Sequence, residues 1–164
     1  MKHTLVAKVA DQPGVLNRVA SLFRRRAFNI DSLTVGHTEV DSVSRMTITT
    51  SGSEAILEQI TKQLNKLVDV VKLLELTEGG PHVERAMMLI KVRATGAGRE
   101  EIKRLADIFR GRILDVTNST YIIEVTGTDD KLEAFIRTLD RKLILEVVRS
   151  GAIGVGRGEK ALRI

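Results

Sequence analysis

The stretch Asp11-Gln12-Pro13-Gly14-Val15-Leu16 joins two different periodicities. Before it, Leu5, Ala7 and Val9 fall on alternate positions, as on one face of a strand. After it, Val15, Leu16, Val19, Ala20, Leu22 and Phe23 recur at helical spacing. A strand, a tight turn and a helix start therefore lie in one short segment. Pro13 suits the first helical turn, where its missing N–H is not needed. Gly14 has no Cβ, so another molecule can approach its backbone closely. The first N–H groups of the helix lack intrahelical partners and carry partial positive charge, which suits a carboxylate. Asp11 is placed either to cap the helix or to hold an ammonium group. Turn chemistry alone accounts for the same residues without any ligand, so the rest of the chain has to decide.

Outward from this turn the pattern is regular. A strand over 3–10 leads to a helix over 13–26 that puts Leu16, Val19, Ala20 and Phe23 on one face. Phe28-Asn29-Ile30 opens a second strand running to Gly36, and Val43 to Thr50 forms a third. Ser51-Gly52-Ser53-Glu54 breaks that strand and caps a helix lined by Ile56, Ile60, Leu64 and Leu67. A fourth strand covers 68–76. The order is β-α-β-β-α-β, the ferredoxin-like arrangement, with helices on one face of an antiparallel sheet. Gly79-Gly80-Pro81 then interrupts every pattern. Beyond it the order repeats. A strand over 87–94 precedes a helix over 99–110, two strands over 112–116 and 120–125, a helix opened by Asp129-Asp130, and a strand over 143–148. In the second half, Leu105-Ala106-Asp107-Ile108-Phe109-Arg110 lines up with Val19-Ala20-Ser21-Leu22-Phe23-Arg24. The expected fold class is α+β, two ferredoxin-like domains: 1–78, a linker at 79–82, and 83–164 ending in a flexible, basic, glycine-rich tail.

Composition narrows the function. Apolar residues make up 43% of the 164, enough for real cores. No run approaches the ~20 apolar residues of a membrane span, and the start shows no signal-peptide core. With no cysteine, disulfides, thiolate metal sites and cysteine catalysis are excluded, which fits a cytoplasmic protein. The net charge of +5 raises nucleic acid as a partner. The basic residues are interspersed, however, and Arg24-Arg25-Arg26 sits at a helix end where cations suit the dipole. Aromatic residues, at 3%, are too few for a stacking platform.

Catalytic signals are missing. His3, His37 and His82 are not paired at metal-ligand spacing and are expected to be solvated or locally bonded. Glu100-Glu101 and Asp129-Asp130 sit at helix starts, where they favour the dipole. Gly151-Ala152-Ile153-Gly154-Val155-Gly156-Arg157-Gly158 follows a strand like a phosphate loop, but too little chain remains for the crossover helix that such a loop needs. A well-cored chain without a catalytic constellation reads as a binding or regulatory module.

Particular blocks then narrow the reading. Val9-Ala10-Asp11-Gln12-Pro13-Gly14-Val15-Leu16 with Phe28-Asn29-Ile30 resembles an ACT domain, a small amino-acid-sensing module. Leu33-Thr34-Val35, Ser44-Arg45-Met46-Thr47-Ile48, Leu57-Glu58-Gln59-Ile60, His82-Val83-Glu84-Arg85, Phe109-Arg110-Gly111-Arg112-Ile113-Leu114-Asp115-Val116 and Arg149-Ser150-Gly151 extend the likeness over essentially the whole chain. Together they resemble the regulatory small subunits of acetohydroxyacid synthase, also called acetolactate synthase. The resemblance implies a non-catalytic homodimer. Its partner would be a large subunit that carries thiamine diphosphate, Mg and FAD, with no cofactor in this chain. It further implies activation of that subunit and feedback inhibition by a branched-chain amino acid, commonly valine, with no nucleic-acid or membrane partner. The effector site implied is Asp11, Gln12, Pro13, Gly14, Val15 and Leu16 of one chain, with Asn29 and Ile30 of the other. Family members often carry Asn where this chain has Asp11, and a carboxylate there repels the effector's own unless it faces the ammonium. Two rivals remain: an amino-acid-responsive nucleic-acid binder using Arg24-Arg25-Arg26 and the tail, and a small enzyme.

Overall fold

The computed structural model describes residues 2–163. The chain divides into two compact units, Met1–Val83 together with Gly151–Ile164, and Glu84–Ser150. The first contains β1 (Lys2–Ala10), α1 (Val15–Arg25), β2 (Ile30–His37), β3 (Val43–Ser51), α2 (Glu54–Asn65) and β4 (Val70–Glu75). Its antiparallel sheet has the order β2-β3-β1-β4. β5 (His82–Arg93) leads into the second unit, with α3 (Gly98–Ile108), β6 (Arg112–Val116), β7 (Thr120–Gly127), α4 (Asp129–Thr138) and β8 (Ile144–Arg149). That sheet has the order β6-β7-β5-β8. The two orders correspond strand for strand, and the expected pair of ferredoxin-like units is what forms.

Each unit has its own core. In the first, Leu5, Ala7 and Val9 of β1 pack with Val15, Val19, Leu22 and Phe23 of α1 and with Leu57, Ile60 and Leu64 of α2. In the second, Met88, Ile90 and Val92 of β5 pack with Ile102 and Ala106 of α3, with Leu132 and Phe135 of α4, and with Leu139 just after it. Burying each large side chain stabilises by roughly 1.5–3 kcal/mol. Ser53 and Thr128 cap α2 and α4, accepting from the Ile56 and Lys131 N–H groups.

The repeat is finer than the order of elements. Register shifts fall at Lys8/Val9 and at Lys91/Val92, and again at Ile30/Ser32 and at Ile113/Asp115. Both first helices end through a left-handed residue that is not glycine, Ala27 (φ 56°) and Arg110 (φ 57°). Behind these, Phe28 N–H donates to Phe23 O at 2.9 Å and Gly111 N–H to Ala106 O at 2.7 Å, the Schellman closure. All four correspondences have the same separation in sequence. The match drawn above between Val19–Arg24 and Leu105–Arg110 is about one helical turn out of register. Such a slip preserves the apolar stripe, so the helices alone cannot reveal it.

Several boundaries differ from expectation. Val68 is 97% exposed, and β4 starts only at Val70, after a turn in which Val70 N–H bonds Leu67 O. In α2, Leu57 rather than Ile56 turns inward. β5 begins at His82, so the linker shrinks to Gly79-Gly80-Pro81.

The largest correction concerns the C-terminal tail, which is docked on the first unit. Ile153–Gly156 form a short strand, β9, paired with β5. Arg45 Nη2 donates to Gly154 O at 2.6 Å, and Arg157 N–H donates to Pro81 O at 3.0 Å. Burial lowers the Arg45 pKa, while the charge of Glu39 opposes that shift. Gly151 is needed at its position. A Cβ there would collide with Thr34 Oγ1 and lie 2.7 Å from Leu33 O. Gly151→Val should therefore free the tail, seen as faster tryptic cleavage at Arg157 and Lys160 with both cores intact. An unchanged cleavage rate would refute this docking.

Candidate functional site

Gly14 carries the chain from β1 into α1 in the left-handed region (φ 86°, ψ −7°). That conformation favours glycine. It also makes the helix start two residues later than expected, at Val15, leaving Pro13 outside the first helical turn. No side chain caps α1, so Asp11 does not act as its cap. The turn is held by backbone bonds instead: Ala10 N–H to Asp69 O and Asp11 N–H to Ser42 O, both 2.9 Å. Asp11, Gln12, Pro13 and Gly14 are all exposed. The Asp11 carboxylate points toward the end of β2, 3.8 Å from His37 Nδ1.

Two residues behave differently from the sequence expectation. Val15 is 3% exposed and belongs to the core, so it offers no apolar wall to a ligand. Its amide makes a long turn bond to Gln12 O, 3.4 Å. Leu16 is 46% exposed and supplies the apolar surface beside the turn. Arg18 was missed. Its Nε bonds Asp69 Oδ2 at 2.6 Å, and its Nη1 lies 3.0 Å from where a Gly14 Cβ would be. A guanidinium thus flanks the glycine at the positive end of a helix with no acidic residue in its first turn. The signal was an arginine in the opening turn, where the helix dipole disfavours cations.

Asn29 and Ile30 stand elsewhere. Asn29 Nδ2 donates to Asp31 Oδ1 at 2.8 Å, and its carbonyl accepts from Thr50 Oγ1 at 2.6 Å. Ile30 is partly buried against the core. Register places these residues far from the turn. His37 pairs with Ser44 and Ala10 with Val43, whereas Ile30 pairs with Thr50 and so does His3. β1 and β2 are therefore parallel, with the turn at one end and Asn29 at the other. The eight residues of β2 separate the ends by roughly 25 Å at about 3.3 Å per residue. Within one chain the two groups do not meet. Within its sheet, β2 is an edge strand bonded to β3 alone.

The corresponding turn of the second unit is filled from within. Arg99 Nη1 donates to Ala94 O, Thr117 O and Asn118 O at 2.8, 2.9 and 3.0 Å, and its guanidinium stacks over Tyr121 at 4.7 Å. The other sequence candidates resolve simply. His82 Nδ1 lies 3.2 Å from Gly80 O. The glycine-rich run 151–158 is the docked tail. His3, in contrast to expectation, is buried, with neither ring nitrogen hydrogen-bonded. No described helix is long and apolar enough to cross a membrane.

Two ferredoxin-like units, the first with an exposed glycine turn at a helix N-terminus, make an ACT-like fold. A family model for the AHAS small subunit-like ACT domain matches residues 5–72, and one for the small subunit of acetolactate synthase matches residues 85–158. The chain is 51% identical over 164 residues to the acetolactate synthase isozyme 3 small subunit of Salmonella typhimurium, spanning 99% of this chain and 100% of that protein. It is 51% identical over 160 residues to a probable acetolactate synthase small subunit of Archaeoglobus fulgidus, spanning 98% and 99%. The crystal structure of the small subunit from Thermotoga maritima superposes with a TM-score of 0.89 at 43% identity, covering 98% of this chain and 99% of that one. The chain belongs to the acetolactate synthase small-subunit family, and is a regulatory subunit with an ACT domain.

The Arg18–Asp69 pair is half-exposed on the arginine side. Arg18→Ala should change unfolding free energy by less than about 1 kcal/mol, measured by urea denaturation. A larger loss would make the pair a structural element and weaken any ligand role for Arg18.

Proposed function

We propose that this subunit binds a branched-chain amino acid, valine foremost, at a site shared between two ACT domains. Through that site it controls a large catalytic subunit that carries thiamine diphosphate, Mg and FAD. In this reading the small subunit is not itself catalytic; it raises the activity of its partner and makes it sensitive to the end product.

The observation that carries the reading is the placement of the two half-sites at opposite ends of an unpaired edge strand. A two-fold partner aligned antiparallel along β2 brings its own Asn29 and Ile30 to the end of β2 where Asp11 to Leu16 stand. A small ligand can then touch both groups only by touching both chains. The free N–H groups at the start of α1, with Arg18 beside them, suit the effector carboxylate. That ligand also relieves the mismatch of a cation at a positive helix end. Asp11 faces the ammonium, and Leu16 and Ile30 line the side chain. Asn29 donates or accepts across the junction. Size selection among valine, leucine and isoleucine is shallow here, since one methylene is worth only ~1–3 kcal/mol.

Reconstitution with the large subunit, with and without valine, tests the reading. Activity should rise on adding this chain and fall on adding valine; no change in either would overturn it. Gly14→Asp should abolish inhibition and spare activation, because a carboxylate would occupy the effector's place. Asn29→Ala should raise the valine concentration for half-inhibition by about 3–10-fold, the value of one hydrogen bond. Mixing these two variants provides a sharper check. A mixed dimer has one site with both defects and one with none, so mixing should restore part of the lost sensitivity. Failure to restore it would place the site within a single chain.

A further inference from the structure

His3 lies on β1 with 1% of its surface exposed, and both imidazole nitrogens lack hydrogen-bond partners. A buried polar group left this way is costly, and native structures rarely tolerate it without a ligand or partner. The side chain faces the turn that follows β4. Glu75 Oε1 is 4.0 Å from His3 Nδ1, too far for a hydrogen bond. Glu78 adds a second carboxylate, and one ligand atom from each of the three residues lies within 4.8 Å of the others.

These separations suit an ion between the groups. Two ligand atoms each about 2.1 Å from one cation are roughly 3–4.2 Å apart. His3 and Glu75 already stand at such a distance, and Glu78, on an exposed turn, needs only a small rotation to close the widest gap. Glu75 is also held for the task. Its Oε1 accepts from the Thr77 N–H at 3.0 Å and its Oε2 from the Glu78 N–H at 2.7 Å. Each oxygen keeps a further lone pair. The turn is tied to β1 beside His3, since Thr4 N–H donates to Thr77 Oγ1 at 2.9 Å and Leu76 N–H to Thr4 O at 2.8 Å. The nearby Lys160 ammonium donates to Gly79 O and is already engaged.

We propose that His3, Glu75 and Glu78 bind one divalent cation of the zinc class, with one nitrogen and two oxygen ligands and water completing the shell. An imidazole among the ligands disfavours Mg2+ and Ca2+, which take all-oxygen shells. The ion clamps the start of β1 to the connection between β4 and β5. Within one chain this site lies at the opposite end of β1 from the Gly14 turn, at the end of the sheet that carries Asn29: His3 pairs with Thr50.

The test uses the untagged full-length chain, freed of metal by chelation, and Zn2+ alone as the probe. Calorimetric titration should show one Zn2+ bound per chain, and thermal unfolding should move upward with Zn2+. Mg2+ at the same concentration should do neither. Glu78→Gln, an exposed substitution that leaves the fold intact, should weaken Zn2+ binding at least about 10-fold. His3→Gln should abolish it, while His37→Gln and His82→Gln should leave it unchanged. If His3→Gln does not fold, Glu78→Gln decides. Absence of saturable Zn2+ binding, binding that survives Glu78→Gln undiminished, or equal binding of Mg2+ would each overturn the proposal. None of these outcomes depends on valine or on the large subunit.

Discussion

The parallel placement of β1 and β2, with β3 paired between them, constrains everything else in the first unit. It follows from the helical crossover after β1, which has to return the chain in the same direction while covering the sheet. The buried stripe of Leu5, Ala7 and Val9 fixes the face on which α1 lies. Once that is set, the turn at Gly14 and the strand start at Asn29 must stand at opposite ends of the sheet. No side-chain rearrangement inside one chain joins them. A ligand site composed of both requires a second copy, and the free edge of β2 is the place where the backbone has unmet hydrogen-bond capacity.

The same scaffold, used twice, does not produce two equal turns. In the first unit the turn opens at Gly14 and Leu16 stays exposed. In the second, Arg99 takes the place of Leu16 and closes the turn with three carbonyl bonds and a ring contact. That guanidinium is already committed to backbone carbonyls. The asymmetry between the units therefore rests on one residue as much as on the Pro-Gly pair. For the proposed effector, it is a physical reason to look to the turn of the first unit.

Much of this was legible in the chain itself. The alternation of Leu5, Ala7 and Val9, the Pro-Gly break and the repeated order of elements are local signals, and they lead directly to two ferredoxin-like units. Four features were not legible. The resemblance puts Val15 in the effector site, but tertiary packing draws it into the core. Arg18 acts through Asp69, far away in sequence, and long-range pairs leave no local pattern. The tail looks like a flexible linker because glycine is common in both linkers and close contacts. Only the position of Thr34 and Leu33 explains why Gly151 has no side chain. His3 was read as solvated or locally bonded because its neighbours, Glu75 and Glu78, arrive from the far end of the unit.

The docked tail bears on how a signal leaves the first unit. Gly151 and Ala152 rest on Leu33, Thr34 and Ser32, with Ala152 N–H 3.4 Å from Ser32 Oγ. These are residues of β2, the strand whose free edge faces the proposed second copy. Arg45, on the neighbouring β3, holds Gly154. A ligand that shifts β2 in response to its partner must therefore also shift the seat of the tail, because close-packed contacts do not deform continuously. The tail follows β8 directly in the chain, through Ser150. A coupling of the usual size, ~1–3 kcal/mol, needs only a few such contacts to differ between two arrangements of β2.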